Sequence, residues 1–360
     1  MLDFVFDFRR DLIARLAKSF RASSRLYYDV LLKLRARNPT RELRAATPFK
    51  RRNILQHDVI EGKGGFLFHR DHDALEQLSG PVVFRDRQIE VWNDALKRRD
   101  EWCLANSCEM RLLIVPEKHV VYEQFLPNTI KISKNRPVFQ LLGGIDETLK
   151  EKVVYPLEEL RTASTRRQTF LKTDTHWSSF GAFTAYQALI RSLQSDVRLE
   201  MAKETDIFWY EGPFVGDLGV RLEPEIGEEI ANAIPPTKYA LTFLNRIFDR
   251  GAVHVYVSER ADLPCCVLFR DSFSNALIPF LMQSFSRIVA VSDLSCLYDL
   301  LEYEKPDVVI FAVIERFLAT FGKGEIIDLP NDAGEISFRS LTGVEFSELR
   351  DYADSSFRAG

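Results

Sequence analysis

The chain has 360 residues, 46% of them hydrophobic and 12% aromatic, which is enough to bury a large core and unlike a disordered or low-complexity chain. Its formal net charge of −4 is unevenly spread: residues 1–52 hold 14 Lys/Arg against 5 Asp/Glu, a net of +9, leaving −13 for residues 53–360. That balance argues against a global nucleic-acid binder, and the absence of an internal period argues against a repeat protein.

In the basic N-terminal segment, residues 1–55, Val5, Phe8, Leu12, Leu16 and Phe20 recur at helical spacing, with Arg9, Arg10, Arg15, Lys18 and Arg21 between them. The pattern predicts a basic amphipathic helix. Two readings stand: peripheral contact with an anionic membrane through residues 1–40, or a helix packed on the core or on a second subunit. Pro39 and Pro48 punctuate the passage into the main domain, residues 56–345, which a tail, 346–360, follows. No stretch supplies the roughly 7–15 apolar residues of a secretory leader or the roughly 20 of a spanning helix, so the sequence reads as cytoplasmic or peripheral.

Early in the main domain, His69-Arg70-Asp71-His72-Asp73 reads as a solvated turn after a hairpin rather than a metal site. The cysteines at 103, 108, 265, 266 and 296 are odd in number and lack metal-ligand spacing, which indicates reduced thiols. Neither a metal nor a cofactor is expected. Helices are predicted over 92–107, 181–193, 274–285 and 294–303, and strands over 110–115, 266–269, 287–291 and 307–313. Continuous apolar strands separated by helices indicate an α/β fold with a mostly parallel sheet covered on both faces.

The chemistry concentrates in Thr173-Asp174-Thr175-His176-Trp177 and Arg270-Asp271-Ser272-Phe273-Ser274. A serine hydroxyl becomes a useful nucleophile at neutral pH when a histidine takes its proton, and a carboxylate fixes that histidine's tautomer. Asp174, His176 and Ser272 fit those roles. Residues two apart on an extended segment share a face, so Asp174 can reach the His176 ring. Ser272 follows an apolar strand and precedes a helix start, where backbone N–H groups can bind an oxyanion. Glu315 and Arg316, like Ser272, fall at the carboxyl end of a predicted strand, where sites form in such sheets. They are candidate substrate contacts or a structural ion pair, and Trp177 is a candidate sugar platform or a packing residue.

Several segments resemble, in order, the SGNH-hydrolase-like acetyltransferases typified by AlgJ and AlgX, the alginate O-acetylation proteins. The block Leu171 to Ala182 is similar to the family's Asp-x-His-Trp block, Gly62 to Phe68 to its opening glycine hairpin, and Leu113 to Lys118 to its first core strand. Gly216-Asp217-Leu218-Gly219 resembles a loop between its two catalytic blocks, and Lys305 to Ile310 with Glu315-Arg316 its late strand. The resemblance spans roughly residues 57 to 320 and implies an SGNH-type three-layer α/β/α fold, with the Asp-His block before the serine, a permuted order relative to ordinary SGNH esterases. Arg270 stands where the simpler Gly-Asp-Ser block has glycine, and is a candidate for contact with substrate or oxyanion. The implied function is O-acetyl transfer through a Ser272 acyl-enzyme to a glycan or polysaccharide hydroxyl, with an acetyl donor and a membrane-bound O-acyltransferase as possible partners. The alternatives are a carbohydrate acetyl-esterase with the same residues and a non-catalytic glycan-binding or assembly protein. Family members often work in the periplasm, which differs from the location the sequence suggests.

Overall fold

The computed structural model describes residues 59–70, 74–193, 199–245, 247, 250–320 and 336–350. The expected basic helix and the membrane contact through residues 1–40 lie outside the described residues. Among the described residues, no helix is long and apolar enough to cross a membrane.

The main domain opens with an antiparallel hairpin of β1 (Val59–Glu61) and β2 (Leu67–His69), turning at Gly64 and Gly65, whose positive φ angles favour glycine. Then come α1 (Ala74–Ser79), α2 (Asp86–Ala105), β3 (Glu109–Val115), α3 (Lys118–Val121), α4 (Pro137–Gly144), α5 (Glu147–Lys150), β4 (Val153–Val154), α6 (Leu157–Ser164) and α7 (Ser179–Ser192). An antiparallel arm of β5 (Phe208–Phe214) and β6 (Glu228–Ile234) precedes β7 (Tyr239–Leu244) and β8 (Val253–Ser258). The last stretch holds β9 (Cys265–Arg270), α8 (Ser274–Leu281), β10 (Arg287–Val291), α9 (Tyr298–Glu304), β11 (Val308–Ile314), α10 (Arg316–Thr320) and α11 (Phe338–Thr342).

Seven strands form the central sheet in the order β4-β3-β11-β9-β10-β8-β7. The first five are parallel, and β8 and β7 extend the β10 edge antiparallel. The sheet is therefore mostly parallel. Its alternation sends side chains to two faces. Leu113, Cys266, Leu268 and Ile310 join α6, α7 and α8 in one apolar cluster; Leu112, Val267, Phe269 and Phe311 join α2, α4, α9 and α11 in another. Burial on both faces explains why these strands read as unbroken apolar runs.

Boundaries differ where packing begins later than the helix. α2 starts at Asp86 rather than 92: its first turn, Asp86-Arg87-Gln88, is polar with Asp86 and Arg87 exposed, and the Arg85 N–H donates to the Gln88 side-chain oxygen. α9 starts at Tyr298 rather than 294, since Asp293 ties the Ser295 N–H into a turn first. Residues 346–349 form a short 3₁₀ turn with Leu349 buried and Phe346 stacked on Tyr303, so packing continues past residue 345. The cysteines described here are free thiols, and all but Cys265 are buried.

The fold places one set of strand ends together. β3, β9 and β11 run parallel, and their carboxyl ends deliver Glu117, Asp271-Ser272 and Glu315-Arg316 to the same edge. Ile310, at the middle of β11 and fully buried, is the structural test of that arrangement. Ile310→Ala should lower unfolding stability by about 2–5 kcal/mol with an unchanged denaturant slope, measured by equilibrium urea unfolding.

Candidate active site

Asp174 and His176 do not sit on a strand. Residues 171–176 form a loop closed by the Phe170–Trp177 bridge, with the Leu171 N–H donating to the His176 carbonyl. Asp174 Oδ1 accepts both the His176 backbone N–H at 2.8 Å and the ring Nδ1–H at 2.7 Å. This two-residue carboxylate-to-backbone closure, rather than an extended pleat, sets the pair's geometry. His176 Nε2 then lies 2.9 Å from Ser272 Oγ. Because Asp174 is a hydrogen-bond acceptor, the neutral ring carries its proton on Nδ1 and offers the Nε2 lone pair to the serine.

The loop is held by residues that sequence reasoning did not select. The Lys118 ammonium, buried, donates to the carbonyls of Leu67, Lys172 and Asp174. Glu228 on β6 accepts from the N–H groups of Lys172 and Thr173. Asp217 accepts from the Thr175 N–H and hydroxyl at 2.7 and 2.6 Å, and its own N–H donates to Asp174 Oδ2 at 2.9 Å. The signal available for Asp217 was its place between two glycines: a Cβ at Gly216 would stand 2.3 Å from the Thr173 carbonyl oxygen and 2.5 Å from Asp174 Cβ. Lys118 and Glu228 had no such signal, since a charged side chain used to bind backbone resembles any surface charge in sequence.

Ser272 is exposed at the turn between β9 and α8. The helix start differs from expectation in how its N–H groups are used. Asp271 Oδ1 accepts from the Phe273 N–H at 2.9 Å, the Asp271 carbonyl from Ser274, and the Ser272 carbonyl from Asn275. Asp271 Oδ2 also receives the Ile314 N–H at 2.6 Å, tying the turn to β11. The N–H of Ser272 itself enters none of these bonds.

The remaining candidates separate. Trp177 is 2% exposed, its indole N–H donates to the Phe273 carbonyl at 3.0 Å, and its ring packs edge-on against Phe273, so burial rules out stacking on a sugar. Arg270 is buried; its guanidinium donates to the Asp271 carbonyl and lies 3.1 Å from His254 Nδ1 on β8, which commits it to the sheet rather than to an oxyanion. Glu315 and Arg316 do not pair with each other. Glu315 binds Arg136 at 2.7 Å and the Tyr155 hydroxyl at 2.7 Å, whereas Arg316 binds Glu117 at 2.8 Å. Arg316 also lies 5.4 Å from the Phe273 ring, which in turn contacts the His176 ring at 4.6 Å. His69 is likewise buried, beside Glu117 and His119, so the expected solvated turn is corrected there; residues 71–73 lie outside the described residues.

Electrostatics suit proton transfer. Burial alone would lower the His176 pKa, but the hydrogen bond and charge of Asp174 outweigh it and raise the pKa above 6.5. Burial alone would raise that of Asp174, and the His176 hydrogen bond and charge, with two backbone N–H donors, hold it below the usual carboxylate value. A serine, an imidazole and a carboxylate so connected can carry out acyl transfer by general base and then general acid catalysis.

The sheet and its two helical layers make an α/β domain that carries this Asp–His–Ser series at its strand ends. Residues 59–235 match the family model described as an SGNH hydrolase-like domain, acetyltransferase AlgX, a span that includes Asp174 and His176 and stops before Ser272. The chain is AlgJ/AlgX-like. It is 27% identical over 179 residues to a probable alginate O-acetylase AlgJ from Pseudomonas syringae pv. tomato, covering 48% of this chain and 44% of that one. A probable alginate O-acetylase AlgJ from Pseudomonas fluorescens is 25% identical over 182 residues, covering 49% and 45%. The match thus spans less than half the length of these curated relatives. Bacillus cereus PatB1, solved with a sulfonyl adduct, superposes with a TM-score of 0.56 at 16% identity, over 76% of this chain and 99% of that one, and shares the fold.

Two outcomes follow from this geometry. Gly216→Ala should lower acetyl-ester turnover by about tenfold or more, because the new methyl displaces Thr173 and Asp174, while circular dichroism stays native. The reaction needs neutral His176, so kcat/KM should rise with pH through a limb above 6.5; removing the carboxylate charge in Asp174→Asn should move that limb to lower pH, and a pH–rate profile measures both.

Proposed function

We propose that this chain is a polysaccharide O-acetyltransferase working through a Ser272 acyl-enzyme. The observation that carries the reading is the hydrogen-bonded series Asp174–His176–Ser272, at 2.7 and 2.9 Å, in a chain whose curated relatives are named probable alginate O-acetylases. Ser272 Oγ attacks the acetyl carbonyl of a donor while His176 Nε2 takes the hydroxyl proton, and Asp174 stabilises the resulting imidazolium. In this reading the Ser272 N–H, which enters no bond of the turn, serves the developing oxyanion, and such a donor contributes about 2.7–4 kcal/mol. The leaving group departs with the proton from His176. A sugar hydroxyl then attacks the acetyl-serine, giving its proton to His176, and Ser272 regains a proton as the ester is released. By the resemblance to the alginate O-acetylation proteins, a membrane-bound O-acyltransferase would supply the acetyl group.

The test supplies an activated acetyl ester with an uronate oligosaccharide and follows free acetate and acetylated sugar by mass spectrometry. Ser272→Ala and His176→Ala should each lose about 10⁴-fold in acetyl-ester turnover without unfolding, and the double variant little more, because the residues act as a unit. A sulfonyl fluoride should label Ser272 in the wild type alone. Wild-type turnover in Ser272→Ala would refute the nucleophile, and acetate released to water at every oligosaccharide concentration would make the chain an esterase.

A further inference from the structure

Beneath the strand ends lies a second constellation that acetyl transfer does not use. His69 at the end of β2, Glu117 after β3 and His119 in α3 are all buried, at 3%, 1% and 0% exposure. One ligand atom from each lies within 4.8 Å of those of the other two, and His69 Nε2, Glu117 Oε2 and His119 Nδ1 have no hydrogen-bond partner among the described residues. His119 Nδ1 is 3.6 Å and His69 Nε2 3.9 Å from Glu117 Oε2, too long for hydrogen bonds.

The tautomer of His119 makes this arrangement informative. His119 Nε2 lies 2.9 Å from the His69 carbonyl oxygen, which only accepts, so Nε2 carries a proton, and in the neutral ring Nδ1 presents a lone pair. That lone pair faces a carboxylate oxygen. Two apposed acceptors in a dry interior repel unless a proton or a metal ion stands between them; 3.6 Å is wide for a shared proton and fits two ligands of one ion, and metal-ligating histidines ordinarily donate their other nitrogen to a group such as a backbone carbonyl.

We propose that His69 Nε2, Glu117 Oε2 and His119 Nδ1 bind one divalent transition-metal ion, of which Zn²⁺ is the best match. Two imidazoles and a carboxylate suit this borderline ion better than Ca²⁺ or Mg²⁺, which prefer all-oxygen shells. Bonds of about 2.0–2.2 Å place ligand atoms roughly 3.3–3.6 Å apart, so the observed spacings close by small side-chain rotations. The cations nearby are already engaged: Arg316 holds the other Glu117 oxygen, Oε1, and the Lys118 ammonium is bonded to three carbonyls. The ion would pin the β1–β2 hairpin to the segment after β3, a structural role separate from Ser272 chemistry.

The experiment strips the full chain with a chelator, titrates Zn²⁺ by calorimetry and records Co²⁺ absorption. The site predicts about one Zn²⁺ per chain, visible Co²⁺ bands of four- or five-coordinate type, and affinity weakened about tenfold or more in His69→Ala and Glu117→Gln. His176→Ala should bind as the wild type does, which separates this site from the Asp174–His176–Asp217 group. Wild-type affinity in His69→Ala, loss of binding in His176→Ala, or no Zn²⁺ uptake by the wild type would each overturn the proposal. Should His69→Ala fail to fold, a zinc-edge anomalous map of wild-type crystals decides: a peak among the three atoms supports the site, and a peak elsewhere or none rejects it.

Discussion

A loop that belongs to neither helix nor sheet must present Asp174 and His176 while its own backbone polar groups stay bonded away from water. Buried N–H and C=O groups without partners cost about as much as lost hydrogen bonds, so irregular backbone at depth survives only where side chains replace the missing ladder. Lys118 takes the carbonyls of Lys172 and Asp174, Glu228 the N–H groups of Lys172 and Thr173, and Asp217 that of Thr175. The Thr173 carbonyl receives the N–H groups of Leu218 and Gly219. Three charged side chains and one glycine-flanked turn thus do for this loop what a neighbouring strand does for β9.

The same economy governs charge. Lys118 needs its ammonium form to donate to three carbonyls, yet burial draws its pKa down to about 7, against the favourable charges of Glu228, Asp174 and Asp217. Those carboxylates therefore serve twice, as backbone acceptors and as the counter-charge that favours the protonated lysine against burial. Further along the strand ends, Arg136–Glu315 and Arg316–Glu117 alternate in sign, and removing one member of such a buried pair costs about 3–5 kcal/mol. Arg316, lodged between Glu117 and the Phe273 ring, is a positioning residue: it packs the ring that packs His176.

What could be read in the sequence follows from this division. That Asp174, His176 and Ser272 would come together was legible because base-assisted serine chemistry would need those three residue types, and β3, β9, β10 and β11 because double-sided burial leaves unbroken apolar runs. The first turn of α2 was not, since exposed polar residues carry no periodicity. Trp177 and Arg270 drew attention by standing beside the reacting residues, but their rings and guanidinium are spent on packing and on β8, which adjacency in sequence does not reveal. His69 was misjudged for the opposite reason: three of its four neighbours in the cluster are charged, and only tertiary structure shows it turned inward to Glu117 and His119.

Burial falls steadily along the reacting series. The Asp174 side chain is 10% exposed and that of His176 33%, and Ser272 is exposed. The gradient suits the proposed proton relay, in which the buried carboxylate would act through a low-dielectric contact while Ser272 stays reachable by a bulky acceptor. It also locates the difficulty of the proposed reaction. Acetyl transfer and ester hydrolysis share every step up to the acyl-enzyme and differ in which hydroxyl arrives next. With Ser272 open among the described residues, water is kept from the acetyl-serine by whatever lies over it, and an acceptor chain that covers the serine while presenting its own hydroxyl supplies both the nucleophile and the shield. In the proposed reaction selectivity for transfer would then be a property of acceptor binding around Ser272, whereas the Asp174–His176 loop would serve both acceptors alike.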